Sequence, residues 1–194
     1  MAGVGRAAGA LLLLASAALA APATAAARTV VTISLDDALE SQAAVPALLA
    51  EFGVRASFFI PSERVGRRGN LTWAQIRAIA AVGHEIGGHT LGHQDLTTLS
   101  LAEARRVVCD DRANLVAQGF DPISFAYPYG HSDEEVAAIV GGCGYELARK
   151  HGGIRSPTGC SSCPTAEAIP PPDPLQLRTS QSVRNTYSLA DLQG

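Results

Sequence analysis

Hydrophobic and polar positions along the chain switch repeatedly between strand-like and helix-like spacing. Thr29-Val-Val-Thr-Ile-Ser-Leu35 is apolar and β-branched, which predicts a buried strand. Ser41 to Phe52 places Val45, Leu48, Leu49 and Phe52 on one helical stripe, and Gly53 stops it. Ala56 to Ile60 predicts a second strand, closed by Pro61. Thr72 caps a helix carrying Ile76, Ile79 and Val82, which Gly83 ends. His84 to Gly88 predicts a short third strand. Ser100 and Glu103 form a capping box for a helix running to about Gln118. Ser124 to Ala126, a helix from Asp133 to about Val140, and a strand from Tyr145 to Arg149 continue the alternation. Beyond Lys150 the pattern fades into the extended Ile169-Pro-Pro-Pro-Asp-Pro174, with Leu175 to Thr179 as one further strand.

Strands alternating with helices predict an α/β fold with a parallel sheet, open or rolled into a barrel. Ligands in such folds lie at the C-terminal ends of the strands.

Composition narrows the picture modestly. At 194 residues there is room for one domain, and 47% hydrophobic against 17% charged residues describes a chain with a real core. A net charge of -3 offers no basic surface for nucleic acid and no polybasic stretch for anionic lipid. The first 27 residues predict a cleaved secretion signal: Arg6, an apolar run from Ala8 to Ala20, then small residues with A-x-A patterns. The run is shorter than the ~20 apolar residues of a membrane-spanning helix. Residues 28–194 are then the mature domain, secreted and extracellular or associated with the cell wall, without a stable membrane anchor.

Four cysteines in an exported chain favour disulfides, with three pairings possible. Cys160-x-x-Cys163 can close on itself, which leaves Cys109 with Cys143. That longer bridge would stabilise by roughly 3–4 kcal/mol on the loop-entropy estimate. A CxxC can also be half a zinc site or a redox pair, but no second CxxC accompanies it and it does not open a helix after a strand.

Two groups of residues carry chemistry. Asp36-Asp37 directly follows the first strand. In an open loop the pair is harmless; at a strand end two like charges perturb one another. His89-x3-His93 follows the third strand, and two imidazoles so spaced can face one point. With one carboxylate they make a two-His, one-carboxylate metal site. Either group alone is unremarkable filler, but their convergence at strand C-termini of one sheet points to a metal centre.

Ser34-Leu-Asp-Asp37, Gly83-His-Glu-Ile-Gly-Gly-His-Thr-Leu-Gly-His93 and Phe125-Ala-Tyr-Pro-Tyr-Gly130 resemble, in order and spacing, the first three motifs of the polysaccharide deacetylases. This is the NodB-homology domain of carbohydrate esterase family 4. The resemblance covers about Thr29 to Gly153. It implies a distorted (β/α) barrel, incomplete at its C-terminal end here. It also implies removal of N-acetyl, or O-acetyl, groups from a sugar polymer. Asp36 then resembles the catalytic base, while Asp37, His89 and His93 resemble the ligands of a divalent ion, zinc by preference, with cobalt, nickel or manganese also fitting. The backbone N–H of Tyr129 falls where the family stabilises the oxyanion, and Thr90 supports the loop of the second histidine. Trp73, Tyr127, Pro128 and Tyr129 offer faces to sugar rings, with Trp73 equally suited to the core.

The sequence departs from the pattern in three places. Ser34-Leu35 replaces Thr-Phe. Ala126 stands where many members have an arginine that orients the base, and its usual Asp-x-x-Asp-Trp partner is absent. Together these indicate a subgroup with another arrangement. The late Leu-x-His that protonates the leaving group is missing, since no histidine follows His151. His131 and His151 are the conceivable substitutes, and a binding-only relative or a truncated chain is the alternative expectation. A mononuclear iron oxygenase would use the same triad, but those are usually all-β. A zinc peptidase would need a second histidine that His84-Glu85 lacks.

Overall fold

A computed structural model describes residues 30–156, 160–183 and 188, and the elements all belong to the unit Thr32–Gly194. The expected leader, 1–27, lies outside the described residues. Six parallel strands form one sheet whose spatial order follows the sequence. They are β1 (Ile33–Leu35), β2 (Ala56–Ile60), β3 (Glu85–Gly88), β4 (Ser124–Ala126), β5 (Leu147–Gly153) and β6 (Leu177–Thr179). Helices α1 (Val45–Ala50), α2 (Trp73–Ala81), α3 (Leu101–Ala117) and α4 (Glu134–Gly142) fill the successive connections. The result is a curled half-barrel in which β1 and β6 each have one strand neighbour. A parallel sheet needs cover on both faces, and β2 shows it: Phe58, Phe59 and Ile60 are all buried.

Local chemistry explains most element boundaries. The α2 cap is a complete box, with Thr72 Oγ1 accepting from the Gln75 N–H and Gln75 Oε1 accepting from the Thr72 N–H. At α3 only half the expected box forms. Ser100 Oγ accepts from the Glu103 N–H, but the Glu103 carboxylate turns to Arg106 at 2.7–2.9 Å. The first helix opens as a 3-10 turn, Glu40–Ala44, and becomes α-helical only at Val45. Pro46 sits in its first turn, where a missing N–H costs nothing. Leu48 and Phe52 do not join the expected buried stripe, being 59% and 77% exposed, whereas Val45 and Leu49 pack on the core.

Several strand boundaries differ from the sequence expectation, that of β3 by one residue. β1 pairs only from Ile33, β5 starts at Leu147 and continues to Gly153, and β6 is confined to Leu177–Thr179. The extension of β5 past Lys150 is irregular, with a register shift between Arg149 and Gly153 opposite β6.

Two apolar clusters sit against the sheet. One gathers Val107, Val108, Phe125, Tyr127, Val140 and Tyr145 from α3, α4 and the β4–β5 region. The other gathers Phe58, Ile60, Leu71, Ile76, Ile86 and Leu115. Both expected disulfides are present: Cys109–Cys143 joins α3 to the end of α4, and Cys160–Cys163 closes its own loop.

The last strand is held from the side. Glu167 accepts from the Arg178 backbone N–H at 2.9 Å and from its guanidinium at 2.6 and 3.1 Å. Hydrogen bonds from the Arg178 side chain hold the Glu167 carboxyl down at about 2. That is below its unfolded value of ~4.3, so the stabilisation is complete above about pH 4.3 and is lost as pH falls through about 2. Amide protection at Arg178 and Thr179 should fall across that window in the wild type. In Glu167→Gln it should start lower and stay flat, as read by hydrogen exchange.

Candidate metal and catalytic site

The site lies where β1, β3 and β4 end. Beyond β1 the chain turns through Asp37 and Ala38 at φ of 73° and 52°, and beyond β3 Thr90 and His93 adopt 62° and 68°. Tyr129, after β4, has φ of 60°. These are all the non-glycine residues with positive φ among the described ones, and each costs on the order of 1 kcal/mol. Strain confined to three strand ends of one sheet marks a geometry imposed for a purpose.

The turns aim side chains at one point. One ligand atom from each of Asp37, His89 and His93 lies within 4.8 Å of the other two. His89 Nε2 and His93 Nε2 stand 3.8 and 3.3 Å from Asp37 Oδ1. Asp37 Oδ1 and His89 Nε2 are buried without a hydrogen-bond partner, and a cation held between them and His93 Nε2 would satisfy both. The donor set of two imidazoles and a carboxylate fits zinc and its neighbours.

His89 is prepared for ligation by its surroundings. Its Nδ1 lies 2.6 Å from the Ala126 carbonyl, which places the proton there and turns the Nε2 lone pair toward Asp37. Burial is the main cause holding its pKa down at about 4, so the ring is neutral at pH 7. Its backbone N–H donates to Asp111 Oδ2 at 3.0 Å, while Asp111 Oδ1 accepts from the Ser62 N–H at 2.9 Å. Asp111 is completely buried on α3, and burial pushes its carboxyl up to about 7 in spite of those bonds. Thr90 supports the second histidine's loop as expected, its Oγ1 accepting from the Gln94 N–H at 3.0 Å.

Asp36 pairs with the Arg149 guanidinium, and its charge also bears on the nearby His89 ring. Arg149 also stacks on Phe59, with its guanidinium carbon 4.8 Å from the ring centroid. Sequence reasoning missed Arg149, but β4 and β5 put it in register with Ala126. The arginine absent at position 126 therefore has a counterpart one strand over.

The three aromatic residues expected to face sugar separate into different roles. Tyr129 is 60% exposed and its ring meets His93 edge-on, with centroids 4.6 Å apart. Tyr127 is instead buried, packed edge-on against Phe125, and its hydroxyl donates to the Leu175 carbonyl at 2.8 Å. Pro128 is buried beside it. Trp73 is half-buried in the core against Phe120. The strand ends at Ala126 and the chain turns at Tyr129, so spacing alone put two tyrosines on one face that the turn divides.

The remaining histidines are also fixed. His84 Nδ1 accepts from the Ala56 N–H, tying β2 to β3. Glu85 accepts hydroxyl bonds from Ser57 and Ser124, so the His84-Glu85 pair is structural. His131 Nδ1 lies 2.7 Å from Asp95 Oδ2, and its ring stands 5.9 Å from that of Tyr129. His151 Nε2 accepts from the Ser182 N–H at 3.0 Å.

Removing the Asp111 carboxylate would leave the Ser62 and His89 N–H groups buried and unpaired, at about 1–3 kcal/mol each. Asp111→Ala should therefore lose about 2–5 kcal/mol, or roughly 5–15 °C in Tm for a chain of this size. An unchanged melting curve would show that these two bonds do not hold the site.

The family model described as polysaccharide deacetylase matches residues 24–148. A gellan lyase of a Bacillus species is 32% identical over 129 residues, 65% of this chain and 5% of that protein. A chitin deacetylase of Colletotrichum lindemuthianum is 33% identical over 113 residues, 52% of this chain and 41% of that protein. The chain thus spans less than half the length of these curated relatives. Among solved structures, the Streptococcus pyogenes deacetylase PplD in complex with acetate superposes with a TM-score of 0.70 at 20% identity. That match covers 89% of this chain and 72% of that one. The structure of the Colletotrichum lindemuthianum chitin deacetylase gives 0.52 at 28% identity, covering 60% and 53%. The chain belongs to the polysaccharide deacetylase family.

Proposed function

We propose that this protein is a secreted, metal-dependent hydrolase that removes acetyl groups from a carbohydrate polymer. The observation that carries the reading is the convergence of Asp37, His89 and His93 beside an Asp36 held by Arg149.

Each residue has a task that its surroundings suit. Asp37, His89 and His93 would hold the divalent ion, zinc by preference. Bound there, it supplies Lewis acidity toward the acetyl carbonyl and toward water. Asp36, held by Arg149 and close to His89, takes the proton of the attacking water. Arg149 fixes the orientation of that carboxylate. The left-handed turn at Tyr129 presents its backbone N–H to the oxyanion of the tetrahedral intermediate. Tyr129, exposed above His93, offers its ring to the sugar. The proton for the leaving amine comes from Nε2 of a doubly protonated His131, whose Nδ1–H donates to Asp95. An unprotonated sugar alkoxide leaves far more readily than an unprotonated amide nitrogen, so an O-acetyl substrate depends on His131 less.

The test is acetate release from N-acetylated chitooligosaccharides and O-acetylated xylan by the metal-loaded chain. Asp36→Asn should cost roughly 10²–10⁴ in kcat on both, as should a chelator. His131→Gln should cost a similar factor on the amide and clearly less on the ester. Arg149→Ala should lower kcat with little change in KM, and Ala126→Arg in the same chain should restore part of it. Stoichiometric metal binding through His89 and His93 with no acetate from either substrate would leave a binding-only relative in place of the enzyme.

A further inference from the structure

Next to the metal-ligand cluster lies a second recess of about 730 Å³ that the reaction does not use in full. It opens between the turn after β4 and the far ends of β5 and β6, with His131, Ser132, Lys150, His151 and Arg178 in its walls. The two places are contiguous. His93 meets Tyr129 at 4.6 Å between ring centroids, and Tyr129 meets His131 at 5.9 Å. On β5 the adjacent Arg149 and Lys150 divide between them, Arg149 reaching Asp36 and Lys150 reaching Gln176. Successive side chains of a strand point to opposite sides, so one strand end furnishes both places.

The charges in the recess do not cancel. Arg178 is matched by Glu167, at 2.6 Å, no carboxylate is among the lining side chains, and Asp95, which pairs with the His131 Nδ1 at 2.7 Å, is not one of them. Lys150 has only the neutral Gln176 Oε1, at 3.3 Å, and no described carboxylate stands within 4.0 Å of it. It is the single lysine of the chain. Beside it, His151 Nε2 accepts from the Ser182 N–H, so a neutral His151 carries its proton on Nδ1 and is a donor. The backbone around His151 is fixed by its close approach to Gly130, where a β-carbon would overlap His151. The walls thus offer one unmatched ammonium with a donor imidazole alongside. That complement fits a group with one negative charge better than a dianionic phosphate.

We propose that this recess binds a carboxylate-bearing sugar unit, a uronic acid or a lactyl-ether sugar, adjoining the acetylated residue in the same glycan. The proposal rests on the deacetylase reading for the identity of the glycan, but the binding it describes can be measured without turnover. Lys150 is the ligand that distinguishes acidic from neutral chains. The site sets preference among polymers while leaving the chemistry at Asp36 untouched.

Because the chain has one lysine, an amine-reactive ester reports on Lys150 directly once peptide mapping separates it from the terminal amine. Labelling is followed alone, with a glucuronate-containing disaccharide, with an N-acetylmuramic-acid disaccharide, and with neutral chitobiose. Protection of roughly tenfold at saturation by one acidic disaccharide, and none by chitobiose, is the expected result and names the source of the carboxylate. Absence of protection by both acids, or equal protection by chitobiose, overturns the proposal. In turnover, Lys150→Gln should raise KM for an acidic acetylated glycan roughly tenfold and leave neutral chitooligosaccharides unaffected. An equal rise on both would also overturn it. Protection without any acetate release would keep the carboxylate site and reject the deacetylase reading alone.

Discussion

The site depends on one buried carboxylate. Asp111 has no charged partner, yet its two oxygens hold the backbone N–H groups of Ser62 and His89, which follow β2 and β3. Those bonds span 49 and 22 residues of sequence and cross-link α3 to the ends of two strands. An isolated charge in such a place is costly, which is why burial raises its pKa to about 7. The cost is accepted where the backbone must sit in one position. His89 is the least exposed of the three ligand residues, and its direction is set from behind by Asp111 and from the side by the Ala126 carbonyl. Gly88 completes the fit, since a β-carbon there would overlap the Tyr145 hydroxyl.

Around this fixed point the loops are strained. Asp37, Ala38, Thr90, His93 and Tyr129 all adopt left-handed backbone conformations, and none is glycine. Placing glycine there would ease the backbone but remove the side chains that converge. The packing underneath resists relaxation: Ala38, Thr90 and Leu91 are buried, and the Leu71 N–H donates to the Ala38 carbonyl at 2.8 Å. The core and the disulfide between α3 and α4 hold a platform against which these turns are bent.

Much of this was legible in the sequence for a definite reason. Parallel strands buried on both faces read as apolar runs, and the helix caps Thr72, Ser100 and Asp133 are local signals, so the element order was recoverable. Asp37, His89 and His93 were readable because strand ends are where such folds place chemistry, and the fold brings them together. Asp111 was not read, although its position carried a signal. It falls on the α3 stripe of Ala104, Val107, Val108 and Leu115, where a carboxylate among apolar neighbours needs a buried partner. Tyr127 was misjudged where Tyr129 was not, since no local rule announces that the chain leaves the strand between them.

Arg149 shows what kind of information a linear reading loses. A pattern match asks whether an arginine stands at position 126, and finds alanine. The geometry asks whether a guanidinium reaches Asp36, and it does, from the strand beside. In a parallel sheet, Ala126 and Arg149 are neighbours in register although 23 positions separate them in sequence. A small residue at 126 leaves room for the long side chain to cross toward Asp36, with its guanidinium over the Phe59 ring of β2. The two positions are complementary: an arginine at each would place like charges side by side next to one carboxylate. The alanine is therefore half of an exchange between strands, and the pairing of Asp36 with an arginine survives although the residue supplying it has moved.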